Sequence, residues 1–166
     1  MDLQDCLKQV LDVYEPECRY LKKIDVDDNK AYGEFSVPST CYAIKGRKYH
    51  LNAAEDVILY EQIMYAFVGN LFINGLNDVR KIPMDMFFPT VVDKHVLIVS
   101  IDSHYKAMVN SDFFTGVLTT NKMRRLKNGD YHLKQNLSIN EGAHELDVSI
   151  YLDLKDLSLP DDVGSK

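Results

Sequence analysis

The chain has 166 residues, 46% of them hydrophobic and 27% charged. That balance suits one compact domain and excludes a disordered or fibrous protein. Nineteen Lys and Arg against 25 Asp and Glu leave a formal charge of −6, which argues against a general nucleic-acid binder, since such proteins need a basic face for phosphates.

Leu3, Cys6, Leu7, Val10 and Leu11 form an apolar stripe at helical spacing and predict an amphipathic helix over residues 2–13. It stops near Tyr14-Glu15-Pro16, because proline disfavours helix at the preceding residue. Residues 30–37 read as a strand ended by Pro38-Ser39-Thr40, and a polar, basic loop follows over residues 45–49. Asn52 is a plausible N-cap with Glu55 three positions on, the pattern of a capping box. A long helix runs from Ala53 to about Ile73 and closes on Asn74-Gly75. Apolar residues lie almost all round it, so it belongs inside the fold.

The second half is strand-rich. Val96–Ile101 and stretches within 113–120 carry β-branched residues. Leu133, Leu137 and Ile139 share one strand face, as do Leu146, Val148, Ile150 and Leu152. Asn128-Gly129 and Asn140-Glu141-Gly142 supply turns between strands. The expected fold class is α+β, an antiparallel sheet wrapped around a long central helix. A single domain over residues 1–159, with an N-terminal helix, is expected to precede a frayed tail at 160–166.

Cys6, Cys18 and Cys41 are odd in number and at no metal-ligand spacing, and the N-terminus lacks a secretion signal. Free thiols in a cytoplasmic protein without a bound metal follow. No apolar run approaches the roughly 18 residues a membrane span requires.

On a helical wheel that takes Asn52 as zero, Asn52, Glu55, Asp56, Gln62 and Asn70 fall between roughly 280° and 40°, while Glu61 lies near 180°. Its neighbours there are Val57, Met64, Tyr65, Val68 and Phe72. A carboxylate on an apolar side is costly to ionise, and that is how enzymes obtain a base near neutral pH. The alternative is a Glu satisfied by a tyrosine, a backbone amide or a subunit contact. His50, just ahead of the helix, can polarise a carbonyl or relay a proton, or simply face water. First-turn amides can bind an oxyanion. Tyr14 and Tyr42 can donate to a ligand, although tyrosine is abundant and each alone is more often packing. Lys45, Arg47 and Lys48, and Lys122, Arg124, Arg125 and Lys127, can meet phosphates or remain solvated loop charge. GxSxG, P-loop, GxGxxG and HExxH patterns are absent.

The run Cys18-Arg19-Tyr20-Leu21, Ala31-Tyr32-Gly33-Glu34-Phe35, Tyr42, His50-Leu51-Asn52-Ala53-Ala54-Glu55 and Gln62-Ile63-Met64-Tyr65 resembles the FcoT family. Likeness continues more weakly through Tyr105–Asn110 with Phe114 and through Tyr131–Leu133. The resemblance implies a hot-dog fold and an activity on long-chain fatty acyl-CoA thioesters. In relatives from isonitrile lipopeptide biosynthesis it implies glycine addition to a (2E)-enoyl carrier-protein thioester. Tyr14 and Tyr42 match two tyrosines of the family's active site, and Glu61 stands where a mycobacterial relative has asparagine. Asparagine can only orient or polarise, whereas glutamate can also take a proton.

Glu61, His50 and Tyr42 are thus the expected catalytic residues. Tyr14, Asn52, Glu55, Tyr65, Lys106, Arg124 and Arg125 are the expected substrate contacts. No cofactor is implied beyond the coenzyme A or phosphopantetheine that carries the substrate. The partners are an acyl carrier protein or coenzyme A thioester and glycine as possible co-substrate, with no nucleic acid and no membrane span. A homodimer or higher homo-oligomer is the expectation that the resemblance brings. Glycine addition with thioester hydrolysis leads plain hydrolysis by a small margin. Hydration or dehydration and a non-catalytic acyl-binding role are the other readings.

Overall fold

The computed structural model describes residues 2–40, 43–44, 50–155 and 157. The loop with Tyr42 and the Lys45, Arg47 and Lys48 cluster therefore lies outside the described residues, as does the tail expected to fray. Helix α1 covers Leu3–Asp12, with Asp2 as its N-cap, and a single 3-10 turn follows at Pro16–Cys18. The strands are β1 Leu21–Asp27, β2 Lys30–Phe35, β3 Val96–Tyr105, β4 Phe114–Arg125, β5 Tyr131–Ile139 and β6 His144–Leu152. Helix α2, Ala53–Asn74, separates the first two strands from the rest.

All six strands join one antiparallel sheet in the order β1-β2-β4-β5-β6-β3. Period-two burial is clean in β5 and β6, whose inward residues seal the sheet against α2. The sheet curls round α2, the hot-dog arrangement. Strand β1 escapes a period-two reading because its pairing shifts between Leu21 and Lys23. That bulge puts Lys22 and Lys23 outside together and spaces the inward Leu21 and Ile24 three apart.

The capping box of α2 forms as expected: Ala54 N donates to Asn52 Oδ1 at 2.9 Å, and Asn52 N donates to Glu55 Oε2 at 3.2 Å. Gly75 ends the helix in the left-handed region, at φ 64°. By length and composition α2 is apolar enough to cross a membrane, although its apolar run is interrupted; most of it is buried inside the sheet, the pattern of a core helix. Its sheet side carries Leu59, Tyr60, Ile63 and Phe67, and Tyr60 donates its hydroxyl hydrogen to Gln135 Oε1 on β5 at 2.7 Å. Helix α1 packs on another side, where Gly69 lets Cys6 Sγ approach; a Cβ at Gly69 would lie 2.8 Å from that sulfur. Residues beyond α2 wind through short helical turns, including π-helical Phe87–Val92, before entering β3.

The side of α2 left half-open runs along Val57, Ile58, Glu61 and Tyr65, below an exposed first turn at Ala53 and Ala54. Of the five residues that the wheel gathers as a polar sector, Asn52 and Asn70 are half-buried and the other three are enclosed. Glu55 is 1% exposed, and Asp56 and Gln62 are fully buried. Each has specific partners: Gln62 Oε1 accepts from Tyr20 N and Leu21 N, and its amide donates to Cys18 O.

Candidate active site

Glu61 sits mid-way along α2 on the half-open side. Tyr14, placed just past α1, donates its hydroxyl hydrogen to the Glu61 carboxylate. Tyr65, one turn along α2, shares the same field, and the Asp93 charge acts on it as well. Burial pushes the Glu61 carboxyl above the ordinary range, and the Tyr14 hydrogen bond pulls it partly back. Burial first and the Glu61 charge next push Tyr14 well above the usual phenol range and Tyr65 up to about 12. Burial thus pushes all three groups towards their neutral forms, and Glu61 is the one whose ordinary range lies below neutrality, so that an upward shift brings it closer to neutral pH.

A second feature lies at the start of the helix. A cleft of about 440 Å³ is lined by residues 50–53, by Tyr105–Met108 and by His144. It brings together three expected residues, His50, Asn52 and Lys106. Asn52 is already engaged as the helix cap and Glu55 by the backbone of Asn52. Glu61 is not among the residues lining this cleft, and nine residues of helix separate it from Asn52, about 13 Å along the axis.

The family profile of FcoT-like thioesterase domains matches residues 9–143. The chain belongs to that family. A (2E)-enoyl-[ACP] glycyltransferase of Streptomyces coeruleorubidus is 29% identical over 124 residues, 72% of this chain and 73% of that protein. A mutant thioesterase of Pseudomonas aeruginosa superposes with a TM-score of 0.53 at 14% identity, over 92% of this chain and 94% of its own. The dehydratase domain of RzxB from Pseudomonas fluorescens gives 0.53 at 11% identity, over 91% of this chain and 48% of that one. At such identities the structural likeness establishes the fold alone. Family membership makes this FcoT-like domain an enzyme of acyl thioesters.

Within the FcoT-like domain the expected residues fall into three places. Glu61, Tyr14 and Tyr65 form one centre; His50, Asn52 and Lys106 border the cleft. Arg124 and Arg125 are exposed at the end of β4, paired with His132 and Tyr131. That is the opposite end of the sheet from Tyr105 and His144, so the two arginines do not join the cleft. Tyr42 lies outside the described residues.

Three residues escape the sequence reading. Asp93 approaches Tyr65 from the irregular segment after α2, where no periodicity exists to be read. Asp56 and His144 form a buried pair at 2.8 Å on the wall of the cleft. His144 had a legible signal: it occupies the inward register of β6, two positions before Leu146 in the run that continues through Val148, Ile150 and Leu152.

Proposed function

We propose that this FcoT-like domain adds glycine across the double bond of a (2E)-enoyl thioester and then releases the 3-(carboxymethylamino) fatty acid by hydrolysis. The observation that carries this reading is a carboxylate on the half-open face of the core helix, pushed up by burial and touched by Tyr14. Glu61 takes a proton from the glycine ammonium. The freed amine attacks the β-carbon, a C–N bond forms, and the electron pair of the double bond passes to the thioester oxygen. Return of a proton at the α-carbon restores the carbonyl. Water, activated by the same carboxylate, then adds to that carbonyl and the carrier leaves as a thiol. The sum is enoyl thioester plus glycine plus water giving β-amino acid plus thiol. Tyr14 holds the carboxylate in place and Tyr65 borders the reacting atoms.

The carrier arm, from an acyl carrier protein or coenzyme A, enters at the cleft beside Lys106 and His50. It then follows Val57 and Ile58 along the half-open side of α2 towards Glu61. A second copy of the chain pairs on β3, an open edge whose Leu97 and Val99 are 61% and 57% exposed. Plain hydrolysis is the second reading, favoured by the thioesterase description of the family.

Mass spectrometry of a 2-enoyl thioester incubated with the protein, with and without glycine, decides between them. A β-glycyl acid formed only with glycine supports addition, and free enoic acid in both samples supports hydrolysis. A 3-hydroxy product indicates hydration, and an intact bound thioester leaves a binding protein.

A further inference from the structure

Asp56 and His144 are 88 positions apart and essentially sealed from solvent, at 0% and 3% exposure. The imidazole bridges the first turns of α2 and the wall of the cleft. Its Nδ1 lies 2.8 Å from Asp56 Oδ2, and its Nε2 lies 3.1 Å from the carbonyl oxygen of Ala107. A carbonyl can only accept, so Nε2 carries a hydrogen and donates it. The contact with Asp56 then needs one more hydrogen, on Nδ1 facing an ionised carboxylate or on Asp56 facing a bare Nδ1. In both arrangements the pair holds two hydrogens and no net charge. Take one away, and lone pairs face each other at one end of the ring, so one contact fails. The second oxygen of Asp56 has no hydrogen-bond partner among the described residues, and a carboxylate so poorly solvated holds on to a shared proton.

We propose that Asp56 and His144 are positioning residues of the cleft: a one-proton clasp that fixes the Tyr105–Met108 wall against the start of the central helix and lets go when that proton leaves. The groups that face the pair can be named from each element. On α2, Glu55 favours retention of the proton, although its carboxylate is engaged by Asn52 N. On β3, the Tyr105 ring stands edge-on to the imidazole, with centroids 4.9 Å apart. Lys106, a cation, and His50 line the same cleft and favour release when charged. Next to His144 on β6, the Glu145 carboxylate accepts from Ser138 Oγ. The wall has other supports, since Lys106 N and Ala107 N both donate to Ala143 O. Loss of the imidazole bond therefore loosens the wall without dismantling it.

Nitrogen-15 NMR of the intact protein tests the clasp without any substrate. In a pH series, with carbon-13 read at the Asp56 carboxyl beside the ring nitrogens, the pair should lose its one shared proton in a single step. Backbone signals of Lys106–Met108 should move in the same step. Asp56→Asn keeps the shape but removes the titration: its amide donates to a bare Nδ1 while Nε2–H stays on Ala107. In that variant one ring hydrogen should persist and the wall signals should stay fixed. No proton loss at either the His144 ring or the Asp56 carboxyl across the series, or wall signals that ignore the step, overturns the proposal. So does the same step surviving in Asp56→Asn.

The kinetic arm rests on the carrier arm entering by this cleft. With a 2-enoyl-coenzyme A substrate, KM should rise roughly tenfold across the step, the scale of one hydrogen bond from a charged donor, with kcat following Glu61 instead. Asp56→Asn should flatten the KM profile. A native KM that is flat across the step sinks the positioning role. Absence of any turnover counts against the proposed function alone, because the NMR outcomes still decide the clasp.

Discussion

Two carboxylates five residues apart on α2 meet opposite fates. Asp56 is wholly buried against an imidazole that can take its proton; Glu61 is half-buried against a phenol that only lends a hydrogen. Burial raises both, yet the raised Asp56 also feels the His144 charge and hydrogen bond pulling down. The first arrangement ties elements together, whereas the second leaves a raised carboxyl on a half-open face. Accessibility and partner type, more than the size of a shift, separate a carboxylate that holds structure from one that can do chemistry. The sharpest break of this contrast is Glu61→Gln. Turnover of the enoyl thioester with glycine should fall by about a hundredfold to ten-thousandfold, the range of a lost general base, while urea unfolding stays near the native midpoint. Turnover within a few-fold of native would remove Glu61 from the chemistry.

Asp56→Ala should show the reverse pattern. It leaves His144 Nδ1 buried without its partner, so stability should drop by about 3 kcal/mol in urea unfolding, the cost of breaking a buried pair. The kcat of the surviving folded protein should change far less than in Glu61→Gln. Equal damage to kcat in both variants would erase the distinction between the two sites.

Helix α2 was legible because its signals are local: Asn52 and Glu55 bracket the start, and Asn74-Gly75 the end. Strands β5 and β6 were legible because their inward residues alternate without interruption. Strand β1 was hidden by the bulge at Leu21–Lys23, which breaks the period. The wheel sets Glu61 opposite a polar sector, but it cannot show that Glu55, Asp56 and Gln62 of that sector are buried. Gln62 and Asp56 find their partners in Cys18, Tyr20, Leu21 and His144, from the turn before β1, the start of β1 and β6. One oxygen of Asp56 stays without a hydrogen bond among the described residues. A single helix cannot announce contacts that only the tertiary fold supplies.

The pH dependence separates the two roles of Glu61. A base must be ionised, so kcat/KM should rise with pH through a midpoint above the ordinary value of 4.5. Stability should run the other way. A carboxyl raised in the folded state binds protons more tightly there, so its contribution is full below the unfolded value and is lost as pH rises through the folded one. Glu61→Gln should flatten that part of the unfolding profile. Tyr14→Phe removes the hydrogen bond that lowers Glu61, so the acid limb of kcat/KM should move to higher pH. Near neutral pH the loss should be roughly fivefold, the scale of one hydrogen bond, and it should recover at higher pH. A loss that is the same at every pH would mean that Tyr14 acts on the substrate rather than through the carboxylate.

The smallest effect concerns Asn52, which borders the cleft but already serves the helix. Its side chain accepts from Ala54 N at 2.9 Å, and its own backbone N–H is taken by Glu55. Asn52→Ala should therefore cost about 1 kcal/mol of stability, as for other lost N-caps, while Asn52→Asp, which keeps the acceptor, should stay close to native. If the side chain also met the thioester, the KM of the alanine variant would rise at temperatures where the protein is fully folded. An unchanged KM beside the lowered unfolding midpoint assigns Asn52 to the helix end alone. The start of α2 would then border the cleft without lending it the Asn52 side chain.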